Sequence, residues 1–308
     1  MRGLTPHAKR ERLAKLGILG KIGALPLTPD LGWARTDMGR DNDLQTWYGQ
    51  GCSLYDIGRY EGAIARFDKI LATNPENYDA WVHRGYALYA LHAIQDAIKS
   101  FDGALQICPK SGLAWHGKGL ALAKLGLYDD VIECFRQALK INPTDQRVWY
   151  NQGNALLRLY RYDEALVSFN RAVALKRDDH HAWYNRSTTL GALHRYNDAL
   201  DSVNTALELK PDRYYIWNYR GLVLVNLARH DEAIASFDQS LHYKRDNPNA
   251  WYGKACSYAL QGDIDSTVKN LYRTFVLSPY LYRFMAKTDS KFDAIREDYR
   301  FQKITRED

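Results

Sequence analysis

The chain reads as an all-α solenoid of antiparallel helix pairs, and three observations carry that reading. Trp47, Trp81, Trp115, Trp149, Trp183, Trp217 and Trp251 stand 34 residues apart with no insertion. Small and apolar residues recur after each of them at helical spacing, and a proline or an arginine closes each interval. A fixed period of this size overrides the two domains that 308 residues would otherwise suggest, because each period is one supersecondary unit that needs its neighbours. Seven units therefore cover residues 44–281, with a basic arm and linker over 1–43 and a tail over 282–308.

Within a unit, the first helix is marked four residues after the Trp by Gly51, Gly85, Gly119, Gly153, Ser187, Gly221 or Ala255. A Leu follows three further on, or Tyr258 in unit seven, so Trp, small residue and Leu share one helical face. The second helix carries Ala63, Ala97, Val131, Ala165, Ala199, Ala233 or Thr267, and four later Phe67, Phe101, Phe135, Phe169, Val203, Phe237 or Leu271. Small residues let the two backbones approach, and the aromatic rings fill the space that is left. Pro75, Pro109, Pro143, Arg177, Pro211, Arg245 and Pro279 close the units, and proline stops a helix. One pair cannot bury both of its faces, so stacking completes the core. In the tail, Phe292, Ile295 and Phe301 are apolar anchors for a cap over the last pair, with the charged residues between them facing solvent.

The arm holds six of the chain's cations, Arg2, Lys9, Arg10, Arg12, Lys15 and Lys21, against Glu11, and so carries most of the net charge of +6. Thr5 and Pro6 open a cationic amphipathic helix, and residues 2–22 are expected to touch an anionic membrane surface, to lie as a solvated arm or to fold onto the first repeat. Gly17, Gly20 and Gly23 weaken that helix, and Pro26, Pro29 and Gly32 mark the linker. With 46% hydrophobic and 25% charged residues the chain is neither disordered nor fibrous, and no apolar run is long enough to span a bilayer. Cys52, Cys108, Cys134 and Cys256 lack metal-ligand spacing and read as single buried thiols of a reducing compartment. The expected location is cytoplasmic, at a membrane's cytoplasmic face if the arm binds there.

Catalysis finds no support. Phosphate loop, nucleophile elbow and zinc-binding helix signatures are missing, so the reading assigns no enzyme activity, catalytic residue, cofactor or metal site. Asp178, Asp179, His180 and His181 fall where a helix begins, and capping is their ordinary use. His83 and His116 have no recurring carboxylate beside them, so a solvated or ligand-contacting role is expected.

The Trp, Gly, Leu, Ala, Phe and Pro positions resemble the tetratricopeptide repeat, across seven units of 34 residues. The tail, with Asp289, Phe292, Asp293, Ile295, Arg296, Asp298 and Phe301, is similar to one that follows such arrays in bacterial, notably cyanobacterial, proteins. The resemblance implies a right-handed superhelix whose concave face is lined by the first helices at six positions around each Trp. Carried across residue by residue, those positions hold Tyr48, Tyr55, Tyr86, Tyr89, Tyr150, Tyr184, Tyr215, Tyr219 and Tyr252. His116, Lys124, Arg147, Asn151, Asn154, Arg158, Asn185 and Asn218 lie among them. Tyrosine suits protein recognition, although the same rings also suit packing between adjacent helices. Asparagine both donates to and accepts from an extended main chain, and Asn151 and Asn185 stand 34 apart.

A scaffold or adaptor that holds a protein or peptide segment is therefore expected, and the resemblance implies an assembly factor for a larger, membrane-associated complex. Lys124, Arg147 and Arg158 favour an acidic segment near units three and four. Some family members clamp a chaperone's terminal carboxylate with two asparagines and three basic residues. Asn154 and Asn185 match here, but Tyr150, Tyr215 and Tyr219 replace the cations, so that clamp is rejected. An RNA-binding helical-repeat protein is the alternative. Period and charge disfavour nucleic acid, since the seven units carry 27 Lys/Arg against 25 Asp/Glu.

Overall fold

A computed structural model describes residues 42–306. The basic arm, the expected membrane contact at 2–22 and the linker up to residue 41 lie outside the described residues, as do 307 and 308. The described residues are helical, without a strand, and form two compact bodies, 42–176 and 177–306.

In the first body the helices run α1 (Asn42–Asp56), α2 (Tyr60–Thr73), α3 (Tyr78–Ala90), α4 (Ile94–Ile107), α5 (Gly112–Leu125), α6 (Tyr128–Ile141), α7 (Gln146–Arg158) and α8 (Tyr162–Leu175). Consecutive helices pair as α1 with α2, α3 with α4, and so on, and each second helix also packs on the first helix of the next pair. The second body repeats this arrangement with α9 (His180–Ala192), α10 (Tyr196–Leu209), α11 (Tyr214–Asn226), α12 (His230–Tyr243), α13 (Pro248–Gln261) and α14 (Ile264–Leu277). It ends in α15 (Pro279–Thr288), a 3-10 turn (Ser290–Ile295) and α16 (Tyr299–Thr305).

Each pair is locked where its small residue meets its ring. A Cβ added at Gly51, Gly85, Gly119, Gly153 or Gly221 would stand 2.6–2.7 Å from the ring of Phe67, Phe101, Phe135, Phe169 or Phe237. Contact that close admits no side chain. Where the residue is not glycine, the ring is gone: Ser187 faces Val203 and Ala255 accompanies Leu271, all four fully buried. Ser187 uses the space to donate its Oγ proton to the Ala199 carbonyl at 2.6 Å. Glycine and phenylalanine are thus one coupled choice.

The turn inside each pair needs one residue in the left-handed region. Gly58, Gly126 and Gly262 supply it at φ of 76–80°, whereas His92, Tyr160, His194 and Ala228 occupy it at 57–61° despite their side chains. Between pairs, the indole Nε1 donates to the carbonyl six residues earlier. Trp81 bonds Pro75, Trp115 bonds Pro109, Trp149 bonds Pro143 and Trp217 bonds Pro211, at 2.7–2.9 Å. Trp183 and Trp251 bond Arg177 and Arg245 in the same way, at 2.8 and 3.1 Å. Helix starts are capped by Asn77, Ser111, Asp145 and Asp179, whose side-chain oxygens accept backbone N–H groups. In the tail, Phe292, Ile295 and Phe301 are buried in one cluster with Tyr252, Ala255, Ala259, Leu271 and Phe275 of the last pair.

Candidate functional site

The first helices carry the family's inner-face positions, and in residues 42–176 most of those side chains are already engaged. Tyr86 is 2% exposed, donates its hydroxyl to the Leu113 carbonyl at 3.0 Å and sets its ring edge-on to Phe101. Tyr150 is buried edge-on to Phe169. Half-buried Tyr48 places its hydroxyl 3.3 Å from His83 Nδ1, and burial raises its pKa. The Asn151 amide donates to His116 Nε2 at 3.0 Å. Arg147 is held by Asp145 through two bonds of 3.0 and 3.1 Å. Half-buried Asn154 is also engaged, while Arg158 and Lys124 are exposed, Lys124 lying over the half-buried Tyr89 ring.

His83 and His116 are buried, which corrects the expectation that they are solvated. Burial pulls the His116 pKa down to about 4, against the Asp145 carboxylate, which raises it, and with the help of Arg147. His116 Nδ1 has no hydrogen-bond partner.

In residues 177–306 the tyrosines again turn inward. Tyr184 and Tyr219 are buried, and Tyr184 packs edge-on to both half-buried Tyr215 and Tyr219. The Tyr219 hydroxyl reaches the Ser187 carbonyl at 3.3 Å and crowds Gly191, where a Cβ would sit 2.1 Å from it. Asn185 is buried and engaged. Tyr252, also buried, donates to Asp289 Oδ2 at 3.1 Å. The sequence reading left the tail's charges in solvent, yet Asp289 takes this bond and also holds Lys291 at 3.2 Å. The six candidates Tyr86, His116, Tyr150, Tyr184, Tyr219 and Tyr252 are thus buried, Tyr86 against the next first helix and Tyr252 against the tail.

A second inner-face residue with an unmet buried atom borders a pocket. Asn218 is 7% exposed, and its Oδ1 accepts no hydrogen bond. It borders a pocket between α11, α13 and α15, walled by Leu222, Val225, Cys256 and Met285. Asn249, Asp289 and Lys291 also line it; Asn249 is bonded to the Tyr282 hydroxyl at 2.6 Å. Burial pushes the Cys256 thiol and Tyr252 hydroxyl up, and brings Tyr282 to about 12, so these three groups are neutral. The pocket therefore has apolar walls, with the Asn218 side chain at its edge. Asn218 was among the sequence candidates, but Met285, Asp289 and Lys291 stand outside the repeat, where no register pointed to them.

Among the described residues no cluster of three His, Cys, Asp or Glu side chains is placed to hold a metal. Asp179 Oδ1 instead accepts from the N–H groups of His181 and Ala182, at 3.0 and 3.3 Å. The described cysteines are free thiols; Cys134 and Cys256 are buried as expected, whereas Cys52 and Cys108 are only half-buried, which corrects that expectation for them.

Three family models, each described as tetratricopeptide repeat, match the chain: one at 48–112, 184–250 and 223–266, the others at 112–145 and 134–167. No curated protein matches it in sequence. Among solved structures, the C-terminal part of a TPR repeat-containing protein from Cytophaga hutchinsonii is similar at 17% identity and a TM-score of 0.64, over 80% of this chain and 98% of that one. A tetratricopeptide repeat protein from Parabacteroides merdae matches at 14% identity and a TM-score of 0.57, over 86% of this chain and 99% of that one. YrrB, described as a TPR protein with an unusual peptide-binding site, matches at 21% identity and a TM-score of 0.57, over 61% of this chain and 97% of its own. At these identities the likeness is one of fold.

Proposed function

Because the chain belongs to the tetratricopeptide repeat family, its matches lying between residues 48 and 266, we propose that it is a non-enzymatic scaffold that binds a peptide segment of a partner protein. The observation that carries this reading is the unmet Asn218 acceptor beside the apolar pocket of α11, α13 and α15. A buried carbonyl oxygen without a donor costs about 1–3 kcal/mol, and a ligand N–H that reaches it recovers that cost. A segment laid across the three helices places an apolar side chain between Leu222, Val225 and Met285 and donates an amide proton to Asn218. The peptide-binding description of YrrB supports the same class of ligand.

Exposed Arg158 and Lys124 in residues 42–176 favour an acidic stretch in the partner, with Arg147 contributing less because Asp145 already neutralises it. An adaptor of this kind fits assembly of a larger complex on the cytoplasmic side. No helix among the described residues is long and apolar enough to cross a membrane.

Panning a random peptide library on the full chain tests the proposal. Selected peptides should lose at least tenfold in affinity on Asn218→Leu, which removes the acceptor, and on Leu222→Trp, which fills the pocket, while both variants keep the wild-type circular dichroism. Peptides that bind Leu222→Trp as tightly as wild type, or a library that yields no binder, would overturn it.

A further inference from the structure

The last helix pair differs from the others on the face turned away from its core. Twenty-one residues after the Trp, the first six units hold Asp68, Asp102, Arg136, Asn170, Asn204 and Asp238, and unit seven holds Tyr272. Twenty-nine residues after it, they hold Glu76, Lys110, Thr144, Asp178, Asp212 and Asp246, and unit seven holds Tyr280. Both positions are polar six times and aromatic once. Tyr272, Val276, Tyr280 and Phe284 follow one another at four-residue intervals across the turn from α14 to α15. They are 60, 62, 88 and 63% exposed. Large apolar side chains this open, and this close in the chain, mark a contact surface rather than chance exposure.

The charge around them has one sign. Between residues 266 and 288 stand Lys269, Arg273, Arg283 and Lys287, with no Asp or Glu. Lys269 and Arg273 are exposed and pair with no carboxylate among the described residues. Arg283 lies over the Phe275 ring instead. The acids that flank this stretch are occupied: Asp263 caps α14 through the Ser266 N–H, Asp265 pairs with Arg300 at 2.7 Å, and Asp289 is held by Lys291 and Tyr252.

We propose that the α14–α15 corner docks on an anionic lipid surface, with Tyr272, Val276, Tyr280 and Phe284 entering the headgroup layer and Lys269 and Arg273 facing lipid phosphates. Aromatic side chains with a polar tip belong at that boundary, and cations without acids complete the complementarity. A second copy placed face to face on this corner would set cations against cations, so self-pairing is disfavoured. The surface is separate from the Asn218 pocket, and the inference does not depend on the peptide reading.

Sedimentation of the full chain with vesicles tests it, using three parts phosphatidylcholine to one part phosphatidylglycerol, against pure phosphatidylcholine. Binding should be at least tenfold stronger on the anionic vesicles at low salt and fall as salt rises. The double variant Tyr280→Ser/Phe284→Ser should lose at least tenfold, and Arg273→Glu severalfold, with melting temperatures unchanged because these side chains are exposed. A variant with Lys9, Arg10 and Arg12 changed to Gln separates the basic arm and should retain most of the binding. Equal binding by the Tyr280/Phe284 variant overturns the proposal, as do loss confined to the arm variant and failure of the wild type to sediment. A double variant that turns an oligomer into a monomer while keeping vesicle binding overturns it in favour of a second copy.

Discussion

The first six helix pairs and the seventh, closed by α15, the 3-10 turn and α16, solve the same packing problem in different ways. In five of the first six, a glycine backbone presses against a phenylalanine ring, and the contact leaves no room for a Cβ. At the end of the chain Ala255 and Leu271 take those places, and Phe292 and Phe301 from the tail supply the aromatic volume, their rings 5.4 Å apart. The difference teaches that the repeat's residue choices answer to their packing partners: glycine is kept where the ring presses on it, and where the tail supplies the aromatic volume both places change. Unit five shows the same rule on a smaller scale, since Ser187 is admitted only with Val203 in place of the ring.

Removing the tail's central ring should have the largest effect. Phe292→Ala is expected to cost about 3–5 kcal/mol in urea unfolding, the range for a fully buried aromatic. A loss below about 1 kcal/mol would mean that the tail rests on the last pair without completing its core. Acid should act on the regular units. Because burial holds the His116 pKa at about 4 in the folded chain against 6.5 unfolded, the neutral ring favours folding above pH 6.5, and that contribution disappears as pH falls towards 4. The expected loss from this group is roughly 3 kcal/mol across that window. His116→Gln should flatten the stability profile there, and an unchanged slope would show that the ring is free to charge.

The glycine–ring coupling is open to a double-mutant cycle. Gly153→Ser should cost about 1–3 kcal/mol by overpacking against Phe169. Combined with Phe169→Val, which imports the unit-five arrangement, the pair should be less damaging than the sum of the single changes by about 1 kcal/mol or more. Strict additivity would separate the two positions. The smallest change is expected at the turns, where Ala228→Gly should stabilise by about 0.5–1 kcal/mol because alanine at φ 57° is strained. A lower melting temperature for this variant would show that the Ala228 methyl makes a contact worth more than the strain.

The fold was legible because the residues that build a helix pair are the residues that repeat: Trp149, Gly153, Ala165 and Phe169 announce their spacing in the sequence. The inner face was less so. Tyr86 and Tyr89 sit three apart on α3 and look alike in the chain, yet Tyr86 is buried by the following first helix and Tyr89 stays half-exposed. Burial there depends on the depth to which the neighbouring helix covers each ring, which periodicity does not encode. Asn218 could be chosen from its position, but its missing donor could not, because the groups around it include Met285, Asp289 and Lys291 of the aperiodic tail.

The indole clasp between helix pairs has a consequence for how such a chain changes over time. Each described clasp ends on a main-chain oxygen, so the residue that supplies it is judged by its backbone alone, and Arg177 and Arg245 serve as Pro75 and Pro143 do. A joint that asks for no particular side chain can be cut and resealed anywhere along the array. Duplicating or deleting one 34-residue block would carry its own latch with it, which makes length the easiest property of this molecule to alter.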